Sequence, residues 1–92
     1  MDPADPGRLT YMGFTNRKLG NLVAANMFYE QAIEADPGNI LARSYMGQGF
    51  VEAGRVPDAV AQLKLIRAHG GAGTWAEKSL RNAIATGTTY SY

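Results

Sequence analysis

The single histidine, His69, lies in the stretch His69-Gly70-Gly71-Ala72-Gly73. An imidazole beside paired glycines is one arrangement from which an oxyanion-binding backbone loop is built. Acyl transfer at such a loop needs a serine presented on a G-x-S-x-G turn between a strand and a helix, and the chain contains no such motif. A histidine closing a helix, stabilised by the negative end of the helix dipole, accounts for the same residues. Glu30 and Glu34 are four residues apart and share a helix face, near enough to approach one cation. With one histidine and no cysteine in the chain, they complete neither a hard nor a soft ligand set, and a solvated helix face accounts for them. Gly70, Gly71 and Gly73 lack the Lys and Ser/Thr of a phosphate-binding loop. The chemistry-bearing residues therefore point away from catalysis, and neither a metal nor a cofactor is expected.

The elements that would position these residues are helices. Arg8 to Leu19 follows the Pro6-Gly7 pair and stops at Gly20, a residue suited to the left-handed end of a helix. Leu22 to Ala35 carries Leu22, Ala25, Tyr29, Ala32 and Ile33 at three- and four-residue steps, one helical face. It ends at Asp36-Pro37-Gly38-Asn39, where Pro37 blocks continuation and Asn39 can cap the next helix. Ile40 to Ala53 ends at Gly54. Pro57 sits in the first turn of a segment with Val56, Ala59, Val60, Leu63 and Ile66 on one stripe. After the glycine-rich break, Thr74-Trp75-Ala76-Glu77 has the form of a capping box and opens a helix burying Ala76, Leu80, Ala83 and Ile84. Five helices and no strand are predicted.

The helices repeat. Tyr11-Met12-Gly13 and Tyr45-Met46-Gly47 are 34 residues apart, and Gly20 and Gly54 keep the interval. Helix pairs at such a period signify stacked hairpins, each burying its apolar face on the next. The first copy reads Leu9-x2-Met12-Gly13-x2-Asn16, then Ala25-x3-Tyr29, Ala32 and Pro37. The second reads Arg43-x2-Met46-Gly47-x2-Phe50, then Ala59-x3-Leu63, Ile66 and Gly71. In these positions the chain resembles the tetratricopeptide repeat (TPR) family over roughly residues 8–71, and in general look it is similar to small bacterial members of unassigned role, some of them exported.

The resemblance implies an all-α fold: a right-handed superhelical stack of two TPR helix hairpins plus a C-terminal capping helix. The expected divisions are a tail at 1–7, repeats at 8–37 and 40–69, the cap at 74–86 and a tail at 87–92. It places Gly13 with Ala25, and Gly47 with Ala59, where the helices of each hairpin cross. Departures are Leu9 and Arg43 for the usual opening aromatic, Asn16 for a tyrosine and Gly71 for the last proline. Ile66 in an alanine position is expected to widen the joint with the cap. Arg81 falls where Gly13 and Gly47 stood, as the polar outer face of a terminal element.

The same resemblance implies a non-catalytic protein-interaction module whose concave groove holds a peptide segment or partner helix. Its lining would be Thr10, Phe14, Arg17 and Lys18 from the first helix, Ser44, Tyr45, Gln48 and Glu52 from the third, and Trp75, Lys78 and Asn82 from the cap. Phe14, Gln48 and Trp75 are the expected anchors. Thr10, Phe14 and Tyr45 occupy the places where carboxylate-clamping members carry basic and amide groups, so a clamp of that design is not expected. The alternative is a self-assembling, homo-oligomeric scaffold, because two repeats plus a cap leave apolar faces that a second copy could cover, and Tyr90, Ser91 and Tyr92 could reach a neighbour's groove.

Bulk properties agree with an interaction domain. The 92 residues are 46% apolar and 18% charged with a net charge of +1, too weak a field to draw a polyanion, so nucleic acid is not an expected partner. A domain of this size buries only about 60–65% of its unfolded surface. No apolar run approaches the length of a membrane span, and the polar start lacks the character of a signal peptide. The expected compartment is the cytoplasm, or the periplasm if the chain is a trimmed mature segment.

Overall fold

The computed structural model describes residues 5–87. It contains five helices: α1 (Pro6–Lys18), α2 (Leu22–Ala35), α3 (Ile40–Glu52), α4 (Val56–Ala68) and α5 (Trp75–Thr86). Among the described residues there is no strand. Several boundaries have a local cause. The first helix starts two residues before the expected Arg8 because Asp5 caps it, accepting from the Gly7 amide at 3.4 Å, and Pro6 fills its opening turn. Asn39 Oδ1 caps α3 by accepting from the Ala42 amide at 3.1 Å. Thr74 Oγ1 caps α5 from the Glu77 amide at 3.3 Å, but Glu77 returns its bond to the Gly73 amide, one residue before the cap. Gly20, Gly54 and Gly87 close α1, α3 and α5 with φ near +80°, the left-handed conformation that a side chain disfavours.

The helices stack as antiparallel pairs. α1 packs on α2 and α3 on α4, while α3 also lies against α1, α2 and α5; α1 and α2 touch neither α4 nor α5. Two apolar clusters result. One holds Leu9, Ala25, Tyr29, Ala32, Ala42 and Met46; the other holds Ala59, Leu63, Ile66 and Leu80. Phe50 packs against both and joins them.

The repeated glycines make the close approaches, with one change from the expected scheme. A Cβ on Gly13 would stand 2.5 Å from the Tyr29 ring, so this glycine does admit the second helix of its own hairpin. A Cβ on Gly47 would instead stand 2.7 Å from both methyls of Leu80, so its nearest neighbour belongs to α5 rather than to α4. Gly71 is tied to Ile66: an added Cβ would meet Ile66 Cγ2 at 2.6 Å and its carbonyl oxygen at 2.9 Å. The larger Ile66, fully buried, is accommodated because residue 71 has no side chain. Arg43, in the other aberrant position, is buried and donates from Nε and Nη2 to the Pro37 carbonyl at 3.2 and 3.0 Å.

Alanine at Gly13 and at Gly49, in the interior of α3, is expected to act in opposite directions. Gly13→Ala should cost about 1–3 kcal/mol, because the buried Tyr29 ring has no room to retreat. Gly49→Ala meets only Arg17 Cδ at an ordinary 3.6 Å and should gain about 0.5–1 kcal/mol from helix propensity. Urea denaturation followed by circular dichroism measures both: a Gly13→Ala protein as stable as wild type refutes the packing account of Gly13, and a destabilised Gly49→Ala protein refutes the open space at Gly49.

Candidate functional site

The odd-numbered helices lie side by side, with α3 between α1 and α5, so side chains of the three form rows across them. Phe14 on α1, Tyr45 on α3 and Trp75 on α5 make such a row: the first two ring centroids are 5.2 Å apart and the next two 6.1 Å, the latter edge-on. Aromatic rings at these separations attract through their quadrupoles as well as by burial. Tyr29 supports Tyr45 from behind at 6.3 Å.

Arg17 fixes the row at one end. Its guanidinium carbon lies 5.6 Å from the Phe14 centroid and 5.8 Å from that of Tyr45. Nη1 donates to the Tyr45 carbonyl at 3.3 Å and stands 3.7 Å from Glu52 Oε1. A buried guanidinium needs such partners, since an unpaired one would bear the full cost of desolvation. The Lys18 ammonium stands 5.9 Å from the Phe14 centroid on the same helix face.

Beside the row, between α1 and α3, opens a predominantly apolar cavity of about 410 Å³. Tyr11, Phe14, Leu41 and Tyr45 form its walls, with Gly7, Thr10 and Asn39 closing one side. Tyr11 and Leu41 are exposed despite their apolar surface. Thr10 and Asn39 tie the two helices beneath it: Thr10 Oγ1 donates to the Pro6 carbonyl at 2.7 Å and accepts from Asn39 Nδ2 at 3.0 Å.

The structure divides the eleven residues expected in the groove. Phe14, Lys18, Tyr45, Glu52, Trp75, Lys78 and Asn82 keep exposed or partly exposed side chains. Thr10 and Arg17 are buried but border the cavity or clamp the row. Ser44 and Gln48 differ from the expectation. Both are 0% exposed, because they turn into the α3–α5 interface and bond there. Gln48 Nε2 donates to Ser44 Oγ at 3.2 Å and to Ser79 Oγ at 3.3 Å, and Ser44 Oγ donates to the Ala76 carbonyl at 2.7 Å. Gln48 therefore holds the cap in place and presents no surface to a partner. The row instead has Tyr45 at its centre, and sequence reasoning missed Tyr11 and Leu41 as cavity walls. Tyr11 was conspicuous as a repeat marker; Leu41 had a signal only in being a large aliphatic outside the apolar stripes.

The residues first considered for chemistry have structural positions. His69 is the C-terminal cap of α4, its amide bonded to the Leu65 carbonyl at 3.0 Å. Gly70 and Gly73 have φ of +80° and +82°, so the glycines serve the α4–α5 turn. Glu30 and Glu34 are exposed on α2. Among the described residues no group of three or more His, Asp and Glu side chains is placed to hold a metal ion. No described helix is long and apolar enough to cross a membrane. Tyr90, Ser91 and Tyr92 lie outside the described residues.

A family model of the tetratricopeptide repeat matches residues 17–73. No curated protein and no solved structure is significantly similar to the chain.

Proposed function

The chain belongs to the tetratricopeptide repeat family, whose repeats generally mediate protein–protein interactions and are typically non-catalytic, and from that premise we propose that its α1–α3–α5 face holds a segment of a partner protein. The observation that carries this reading is the aromatic row set beside an open apolar cavity. Tyr11 and Leu41 expose apolar surface at the cavity, and Trp75 exposes more next to Tyr45, 6.1 Å from its ring; such surface marks an interaction site when it is contiguous. A bulky apolar side chain of the partner enters between Tyr11 and Leu41 and packs on Phe14 and Tyr45. Trp75 supplies a second contact along the row. Arg17 keeps Phe14 and Tyr45 in place before the partner arrives, so little ordering is left for the binding step.

Binding energy in such interfaces concentrates in a few buried anchors. Leu41→Glu and Trp75→Ala alter exposed side chains and should leave the fold intact, but each should weaken partner binding by about 2 kcal/mol or more, roughly thirtyfold. Affinity capture from a lysate with wild type and the double variant, both shown by circular dichroism to be folded, tests this. A partner retained equally by both proteins refutes the assignment of this face.

A further inference from the structure

The opposite side of the first hairpin carries surface that the groove does not use. Val23 and Met27 on α2 are 78% and 55% exposed, with Leu19 beside them at 71%. Two further exposed residues of α2, Glu30 and Glu34, lie on the stripe of Val23 and Met27, because steps of three, four and seven residues return to one helix face. The helix contains no basic residue. Its outward face is thus a short stripe, apolar in its first half and doubly acidic in its second.

The groove is its complement. Next to the apolar cavity stands Lys18, and Lys78 follows Trp75 on the same face of α5; both lysines are exposed. The groove carboxylate, Glu52, is engaged by Arg17 at 3.7 Å. For Lys18 the spacing agrees as well as the sign. On α1, Lys18 lies one helical turn beyond Phe14, about 6 Å along the axis. On α2, Glu30 and Glu34 lie about 5 and 10 Å beyond Met27 by the same rise.

Resting on the groove being a binding face, we infer that it accepts the α2 face of a second copy of this chain. Val23 and Met27 enter the cavity between Tyr11 and Leu41, and Glu30 and Glu34 meet Lys18 and Lys78. The two surfaces lie on opposite sides of the hairpin, so the contact is head-to-tail: each copy offers one groove and one stripe, and the assembly grows as an open chain or closes as a ring. Apolar contact supplies affinity, while the charges set orientation and register.

Charge exchange tests this with the whole protein. Lys18→Glu/Lys78→Glu changes only the groove, and Glu30→Lys/Glu34→Lys changes only the stripe; all four side chains are exposed, and circular dichroism checks that both variants remain folded. Light scattering across a concentration series should show the average mass of wild type rising with concentration and falling as salt is added. Each variant alone should associate at least tenfold more weakly, because like charges then face each other. An equimolar mixture of the two should recover association, since the acidic groove of one variant now meets the basic stripe of the other.

A wild type that stays monomeric throughout the series overturns the proposal, as does a mixture that remains dissociated. If the groove variant dissociates while the stripe variant behaves as wild type, the groove binds a different face of the second copy; the groove reading then stands and this inference falls. If the stripe variant alone dissociates, the copies meet without the groove, and the inference again falls.

Discussion

Tyr29→Ala is expected to remove about 3–5 kcal/mol of stability, the range for truncating a fully buried aromatic side chain. The residue is 0% exposed. Its ring occupies the space that a Cβ on Gly13 would need, and it backs the Tyr45 ring at 6.3 Å. Its removal therefore empties the α1–α2 crossing and loosens the aromatic row at once. Against a total stability of about 5–15 kcal/mol for a typical domain, this loss is enough to leave a substantial unfolded fraction. Tyr29→Phe should act in the opposite direction. The buried hydroxyl has no hydrogen-bond partner among the described residues, and burial pushes its pKa upward, Arg17 opposing. Deleting it relieves a desolvated polar group and should gain about 1 kcal/mol. Urea midpoints of the two variants decide the matter: a Tyr29→Phe protein less stable than wild type would show that the hydroxyl is satisfied after all.

Leu80→Ala is the second large effect, at about 2–5 kcal/mol. Leu80 is fully buried and is the α5 member of the cluster formed with Ala59, Leu63 and Ile66. Its methyls rest on Gly47. Ser44, Gln48 and Ser79 make the neighbouring part of that seam polar, and the other apolar side chains that α5 brings, Ala76, Ala83 and the partly buried Ile84, are smaller or less buried than Leu80. Undocking of α5 should then precede global unfolding, and the emission of Trp75, the single tryptophan, should shift to the red at lower urea than the helical signal falls. The double variant Gly47→Ala/Leu80→Ala gives a sharper test. In wild type, alanine at 47 collides with Leu80; without those methyls it fills part of the void. The two substitutions should be markedly non-additive, with the double variant no less stable than Leu80→Ala alone. Additive losses would mean that Gly47 and Leu80 do not share this space.

The helices were legible in the sequence because their ends are local events. Asn39 and Thr74 before apolar runs, and Gly20 and Gly54 after them, act within a few residues of chain. Asp5 was the exception: Pro6-Gly7 reads as a turn until the aspartate that caps it is seen, and Pro6 then becomes a helix start. The candidate site was only half legible. Phe14 and Trp75 could be assigned to an outward face because they lie off the apolar stripes. Ser44 and Gln48 could not, since polar residues off the apolar stripe read as solvated, and their burial depends on Ser79 and the Ala76 carbonyl some thirty residues away. The partner of Gly47 was hidden for the same reason, because a repeat frame describes each hairpin and says nothing of how the last helix meets the previous one.

One helix joins everything. α3 alone touches all four others, and the pair before it has no contact with the pair of helices after it. It is also the helix with glycines at positions 47 and 49, deep in its interior, where each lowers the cost of bending by forgoing about 1 kcal/mol of helix preference. The width of the groove is therefore a mechanical property of a single compliant beam. Opening the groove for a larger guest means flexing α3 against α4, while α1 and α2 stay paired.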